Sequence, residues 1–349
     1  MKEVLTDRQG RIYGSLLGAA VGDSMGAISE GFSPEFLKQR YNGYLTDLLQ
    51  PTDDGMTVDS HPGMVSDDFS VAYYTAEVML ENHRMMDHDM AVKGLLRWWE
   101  HPEYTVYCGP SSRNGIMKLI DPDKAVSHTS NLKCLNGLVT NGGAMKSGIM
   151  GVFNAGDVDQ AISDTITMCR ITHTNAPALA AACAVSAAAA KAFDHDVTYL
   201  DLINAGIYGS EKGYELSASF ADPVCAPDVV SKIRWAVEIG LSHQDDFETA
   251  MIELADTIGS GLWAYEAIPC AFGMIAACKG DLLKGLYMAV NAGQDADSTA
   301  CMIGYILGAM HGYSVIPERF RKLIDEANGF DLRKMAIEIT KLQEGVKDE

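Results

Sequence analysis

Asn291-Ala-Gly-Gln-Asp-Ala-Asp-Ser-Thr-Ala-Cys-Met-Ile-Gly-Tyr-Ile-Leu-Gly-Ala-Met-His-Gly312 joins a turn of small residues to an apolar run of helical period. The turn presents Asp295 and Asp297, and Ser298 opens the run that carries Gly304 and Gly308. Gly293 and the helical pattern that follows place the two aspartates on a loop rather than on a strand. Loop carboxylates and a hydroxyl can converge on one hard cation, which takes oxygen ligands. Asp297 or Ser298 would equally serve as a helix cap, accepting from the free N–H groups of the first turn.

A second stretch repeats the arrangement. Ser66-Asp67-Asp68 closes a loop rich in Pro, Gly and Asp, and the residues after it read as a helix. Each cluster sets two carboxylates and a hydroxyl at a helix start, and most of the chain lies between them. Four carboxylates exceed what two caps need. Brought together they would repel unless cations neutralised them, so a paired-metal site is expected.

Outward from these clusters the chain is helical in pattern. Residues 6–27 form a helix with Gly14, Gly18 and Gly22 on one face, a spacing that lets helices approach closely. No strand precedes these glycines and no Gly-Lys-Ser/Thr follows, which argues against a phosphate loop. Asp23 and Glu30 bracket the end of that helix, and Glu30 is either an ordinary surface glutamate or an exposed functional one. Residues 41–68 form the longest irregular stretch, and a loop of that length in a compact chain points to function. Helices are expected at 69–83 and 86–100, then a turn at Tyr107-Cys-Gly-Pro-Ser-Ser-Arg113 before another. Thr140-Asn-Gly-Gly-Ala-Met-Lys146 is a glycine bend opening a helical run, where backbone N–H groups can cradle a phosphate. His173, at the break after the helix of 157–170, would contact a ligand, cap a helix or make a surface hydrogen bond. Further helices are expected at 176–193, 198–209, 229–239, 246–259, 263–278, 281–290, 298–312, 317–326 and 330–344. Strand-like alternation is scarce, the best candidate break (219–227) is short, and the helical pairs lack the fixed period of a solenoid. The expectation is a single all-α domain over 1–349 with an acidic, dinuclear metal centre.

Composition narrows the function. The 349 residues are 47% apolar and 21% charged, ordinary for a soluble globular chain. A net charge of −20 argues against nucleic acid as the main partner, which usually meets a basic face. Small phosphorylated ligands held by metals and backbone N–H groups remain compatible. None of the eight cysteines forms a CxxC pair, which excludes zinc spacing and favours reduced thiols in a cytoplasmic protein. The first residues show no signal-peptide pattern. The most apolar run, 178–193, is mostly alanine and too short to span a bilayer, so no membrane partner is expected.

The ordered set of motifs resembles the ADP-ribosylglycohydrolase family. Gly14-Ser-Leu-Leu-Gly-Ala-Ala-Val-Gly-Asp-Ser-Met-Gly-Ala, continuing to Glu30, is similar to the family's opening helix and flap glutamate. Ser66-Asp67-Asp68 stands in place of the Thr-Asp-Asp motif. Asn141-Gly-Gly-Ala-Met-Lys resembles the Asn-Gly-x-x-Met-Arg loop that holds ligand phosphate and ribose, and Thr172-His173 matches the Thr-His after the middle helix. Glu266-Ala-Ile-Pro, Lys279-Gly-Asp and Asn291-Ala-Gly-Gln-Asp-Ala-Asp-Ser follow the family's C-terminal run.

The resemblance implies an all-α multi-helix bundle, two divalent cations (magnesium or manganese) and hydrolysis of an N- or O-glycosidic bond at the anomeric carbon of an ADP-ribosyl group. On that resemblance Ser66, Asp67, Asp68, Asp295, Asp297 and Ser298 hold the metals. Glu30, Asp67 and Asp297 are the expected catalytic carboxylates, while Asn141, Gly142, Gly143, Ala144, Met145 and His173 are expected at the substrate. The expected partner is an ADP-ribosylated protein or a small ADP-riboside. Both hydroxyl positions carry serine instead of threonine. Phe69 follows the aspartates where threonine is common, Gln294 replaces a glycine, Lys146 an arginine, and Cys108 an aspartate found in some members. Metal binding should survive these changes, which bear instead on the substrate pocket. The alternatives are a nucleoside-type N-ribohydrolase on the same centre and a non-catalytic ADP-ribose-binding protein. A calcium EF-hand fails, because the loop from Asp295 lacks the glycine at its sixth position and the terminal glutamate.

Overall fold

The computed structural model describes residues 4–57, 59–125 and 138–347. Cys134 and the first three residues, read above from sequence, lie outside that set. Helices follow one another along the chain. The first six are α1 (Asp7–Gly26), α2 (Pro34–Arg40), α3 (Asp67–Glu81), α4 (His88–Trp99), α5 (Pro102–Thr105) and α6 (Pro110–Ile120). Then come α7 (Gly148–Phe153), α8 (Val158–Cys169), α9 (Ala176–Lys191), α10 (Tyr199–Ser217), α11 (Val229–Ser242) and α12 (Phe247–Thr257). The last five are α13 (Ala264–Ala277), α14 (Leu282–Ala292), α15 (Ala296–His311), α16 (Glu318–Asn328) and α17 (Leu332–Lys347). Extended pairing among the described residues is limited to two isolated bridges, Thr140 with Trp263 and Asn175 with Asp222. The fold is all-α.

Small residues set the spacing of its central helices. α1 and α15 run antiparallel with their backbones in contact. A Cβ on Gly18 would stand 2.6 Å from the Gly304 carbonyl, and one on Gly308 would stand 2.2 Å from that of Gly14. The series continues through Gly22 against Ala300 to Gly26 against Asp297. The glycine face expected for close approach is therefore occupied by α15. Elsewhere the same device joins α9 to α10 (Gly209 on Cys183) and α11 to α13 (Gly240 on Gly273). α9, almost all alanine, is buried from Pro177 to Ala190.

The departures from expectation have local causes. α10 runs on to Ser217, well past 209, because Gly209 and Gly213 are packing surfaces and not stop signals. α2 was not anticipated; Ser33 caps it by accepting from Phe36 N–H, with Pro34 at its first position. Both acidic clusters sit deeper in helix than expected. Ser66 is the N-cap of α3, so Asp67 and Asp68 fill its first turn. α15 likewise begins at Ala296, which leaves Asp295 alone on the loop and puts Asp297 and Ser298 inside the helix.

Candidate metal centre

Antiparallel packing of α1 on α15 brings the end of one to the start of the other, and α3 begins at the same place. Asp23, in the last turn of α1, is the hinge of this junction. Its two oxygens accept the Ser66 and Phe69 N–H groups, each at 2.8 Å. It thereby anchors the turn that carries Asp67 and Asp68, a part that reading the sequence missed. The glycine stripe ending beside it was the available signal.

The two distant clusters meet at Asp68. Its carboxylate accepts from Ser66 Oγ at 2.9 Å and from Ser298 Oγ at 2.6 Å. On the far side Asp295 accepts from Asn141 Nδ2 at 2.8 Å, tying the glycine loop to the acidic site. Asp295 makes no side-chain cap to α15, and among the described residues Asp297 accepts the N–H of the adjacent Ser298 at 2.9 Å. Capping does not account for these carboxylates. Oxygens of Asp23, Asp68 and Asp297 lie within 4.8 Å of one another, as do those of Glu30, Asp295 and Asp297. Asp297 belongs to both groups.

Burial and mutual repulsion show in the proton affinities. Burial pushes Glu30 up to about 8, reinforced by Asp295, Asp67 and Asp23. Burial likewise raises Asp67 to about 7, with Asp23 adding to it. Asp23 rises only to about 6, because the Ser66 and Phe69 N–H groups oppose its burial. Asp68 and Asp297 are driven well above the usual carboxylate range by burial and then by their acidic neighbours. α3 and α15 contribute helix N-termini, which favour negative charge, but α1 contributes a C-terminus, which does not. A set of buried oxygens this rich in charge fits divalent cations, which prefer carboxylate and hydroxyl oxygen.

Glu30 lies on a turn clipped to the α14–α15 connection. Gly31 N–H donates to the Gln294 carbonyl at 2.7 Å, and Gln294 N–H returns to the Phe32 carbonyl at 3.2 Å. Gln294 takes a left-handed backbone (φ 58), and Gly293 (φ 67) leaves no room for a Cβ beside the Phe32 carbonyl. The glutamate is thus held at the site by backbone, and is not a free surface residue.

A cavity of about 330 Å³ opens over the acidic floor, within the range of small-molecule sites. Glu30, Asp67, Asp68, Asp295, Asp297 and Ser298 line one side, and Asn141, Gly142 and Met145 another. Ser111 and Ser112, in the first turn of α6, and Thr140 also line it, as do Asp59, Tyr107 and Leu262; sequence reading did not single them out. Ser66, Gly143, Ala144 and His173 do not line it. His173, expected at the ligand, is buried behind the glycine bend, where a Cβ on Gly142 would meet its ring at 3.2 Å. Its nitrogens face Thr172 Oγ1 at 2.8 Å and Thr140 Oγ1 at 3.0 Å.

The ADP-ribosylglycohydrolase family model matches residues 5–349. The chain is 26% identical over 338 residues to the uncharacterized protein YegU of Escherichia coli (strain K12), covering 96% of this chain and 97% of that one. An uncharacterized protein of Archaeoglobus fulgidus is 32% identical over 307 residues, covering 87% and 88%. ADP-ribosylarginine hydrolase Tri1 of Serratia proteamaculans (strain 568) is 24% identical over 324 residues, covering 87% and 72%. Among solved structures, the ADP-ribosylglycohydrolase-related protein complex shares the fold with a TM-score of 0.67 at 21% identity, over 97% of this chain and 100% of that one. No helix among the described residues is long and apolar enough to cross a membrane. The match over nearly the whole chain, on an all-α frame that gathers the acidic motifs at one site, establishes that this chain belongs to the ADP-ribosylglycohydrolase family of hydrolases.

Proposed function

We propose that the protein is a magnesium-dependent hydrolase of an ADP-ribosyl conjugate, cleaving at the anomeric ribose carbon, with manganese as the alternative metal. The observation that carries this reading is the double membership of Asp297 in two oxygen groups, an arrangement suited to a pair of cations sharing a ligand. Asp23, Asp68 and Ser298 would serve one position, and Glu30 and Asp295 the other, with Asp67 beside them. Bound there, the cations would neutralise the carboxylates, orient ribose hydroxyls and acidify coordinated water.

The chain's own groups do the rest. Cleavage of a ribosyl bond builds positive charge at the anomeric carbon and ring oxygen, and the acidic floor opposes that charge with negative potential. Glu30, whose carboxylate lines the cavity beside Asp67 and Asp295, is placed for transfer of a proton to the leaving group or from the attacking water. Gly142 of the bend and Ser111 and Ser112 in the first turn of α6 line the cavity, where backbone N–H groups would suit a phosphate. The protein acts, on this reading, as a single domain in the cytoplasm. A core running from Ile12 to Ile339 supports the former, and the buried thiols of Cys169, Cys183 and Cys270 are compatible with the latter.

Since the Serratia relative is an ADP-ribosylarginine hydrolase, arginine-linked ADP-ribose is the first conjugate to try. The test is release of ADP-ribose from arginine-linked, serine-linked and small-molecule conjugates, with magnesium and with EDTA. Release that needs magnesium supports the reading. Hydrolysis confined to simple ribosides would replace it with an N-ribohydrolase, and tight ADP-ribose binding without turnover would make the protein a binder.

A further inference from the structure

Lys146 is a buried lysine standing behind the cavity wall, its proton affinity lowered by burial and supported by Cys169, Cys108 and Asp67. Its ammonium donates to Thr172 Oγ1 at 3.3 Å. From there a line of side chains leads to the cavity. Thr172 Oγ1 meets His173 Nδ1 at 2.8 Å, His173 Nε2 meets Thr140 Oγ1 at 3.0 Å, and Thr140 Oγ1 donates to Ser111 Oγ at 3.2 Å. Lys146, His173, Thr140 and Ser111 are all buried, yet Thr140 and Ser111 line the cavity. The line therefore runs from the buried lysine to the cavity.

Its direction turns on the histidine. A neutral imidazole carries one N–H, and the hydrogen bonds of each nitrogen decide which one. Burial, with Lys146 next, holds His173 down at about 3, so the ring is neutral. An N–H on Nδ1 would aim its positive end at an oxygen that already receives the ammonium. The Thr172 hydroxyl has two acceptors in reach, Nδ1 at 2.8 Å and the Cys169 carbonyl at 3.3 Å. A lone pair on Nδ1, the nearer of the two, faces the ammonium favourably and accepts the hydroxyl. The proton then belongs on Nε2 and is given to Thr140. Thr140, its acceptor side filled, gives its own proton to Ser111. The Ser111 hydroxyl, receiving on its oxygen, has its proton free for the cavity.

We propose that Lys146, Thr172 and His173 form a buried positioning relay that fixes this direction, so that the Ser111 hydroxyl meets the ligand as a donor and the wall selects an anionic oxygen, such as a phosphate. The identity of the ligand rests on the functional reading above, but the direction of the relay does not. Reversal would make Ser111 donate back to Thr140 and turn a lone pair to the ligand, which repels an anion. Lys146 and His173 touch no substrate in this arrangement. They act through Thr140 and Ser111.

The experiment reads the tautomer directly, by long-range ¹H–¹⁵N correlation on protein labelled at histidine, with the His173 signals assigned by their loss in His173→Gln. Wild type is expected to show Nε2–H. Lys146→Met, which keeps length and removes charge, should admit Nδ1–H; Lys146→Arg should not. Thr172→Val, which cuts the relay without removing the cation, should also lose the preference, and it serves if the methionine variant fails to fold. In calorimetry with magnesium present, Lys146→Met should weaken ADP-ribose about tenfold, the scale of one hydrogen bond, and leave the phosphate-free probe adenosine unchanged. Nδ1–H in wild type, or an unaltered tautomer in both Lys146→Met and Thr172→Val, would overturn the relay, as would equal weakening of the two probes. Failure of wild type to bind ADP-ribose would overturn the functional reading, while the tautomer still decides the relay.

Discussion

Glu30 occupies a turn that backbone hydrogen bonds pin against Gln294, among carboxylates that raise its proton affinity to about 8. Glu30→Gln keeps the size and removes the charge. We expect turnover to fall roughly 10²–10⁴-fold, the usual contribution of a positioned acid or base, with ADP-ribose affinity reduced far less. Paired rate and affinity measurements separate the roles: a wild-type rate removes Glu30 from the chemistry, and parallel losses make it a binding group. Asp297 gives the complementary case. In EDTA Asp297→Asn should melt no lower than wild type, because it replaces a buried carboxyl whose charged form burial and its acidic neighbours disfavour. The same variant should lose the stabilisation by magnesium and with it turnover. Magnesium-dependent activity in Asp297→Asn would end its assignment as a shared ligand.

At the scale of elements, the glycine seam between α1 and α15 both builds the core and brings Asp23 to Asp297. A methyl group on Gly304 would lie 2.2 Å from the Gly18 carbonyl, with backbone on both sides and no side chain to move aside. Gly304→Ala should therefore destabilise by at least the 1–3 kcal/mol typical of overpacking, about as a minimum, and weaken cation binding as the helices separate. The same exchange at Gly345 on α17, where nothing lies within 4 Å, should be neutral or stabilise by up to about 1 kcal/mol through helix propensity. Urea melts of the two variants decide the matter. Equal effects would mean that the seam is loose enough to absorb a methyl. Asp23, receiving two N–H groups from the start of α3, extends the same logic from packing to polar contact.

For the whole molecule, the acidic site couples stability to pH. Glu30, Asp67 and Asp23 bind protons more tightly folded, at about 8, 7 and 6, than unfolded, at about 4. The folded state thus carries extra protons between those limits, and stability must fall as pH rises through them. The metal-free protein should be more stable at pH 5 than at pH 8. Magnesium should reverse the order, since cations replace the protons and bind best when the carboxylates are charged. At a concentration one hundred times Kd the gain is about 2.7 kcal/mol. Thermal melts at both pH values, with magnesium and with EDTA, check this. A metal-free protein equally stable at pH 5 and pH 8 would mean that these carboxylates are not gathered and buried as described.

The all-α class was legible from periodicity alone, because 3.6-residue apolar spacing needs no knowledge of partners. The acidic motifs were legible because two carboxylates and a hydroxyl at a helix start exceed the needs of capping, and the order of motifs carried the family. Close approach along Gly14, Gly18 and Gly22 was readable as a capacity of one helix, but its partner was not. Only the tertiary structure chose α15, and with it the place where α1 delivers Asp23. It also moved His173 from the expected ligand to the second layer, behind Gly142, and put Ser111, Ser112 and Thr140 on the wall instead. Local spacing specifies which face of a helix is free to pack, whereas contacts across 230 residues, such as Ser298 to Asp68, depend on how all the helices are stacked, and no local pattern contains that.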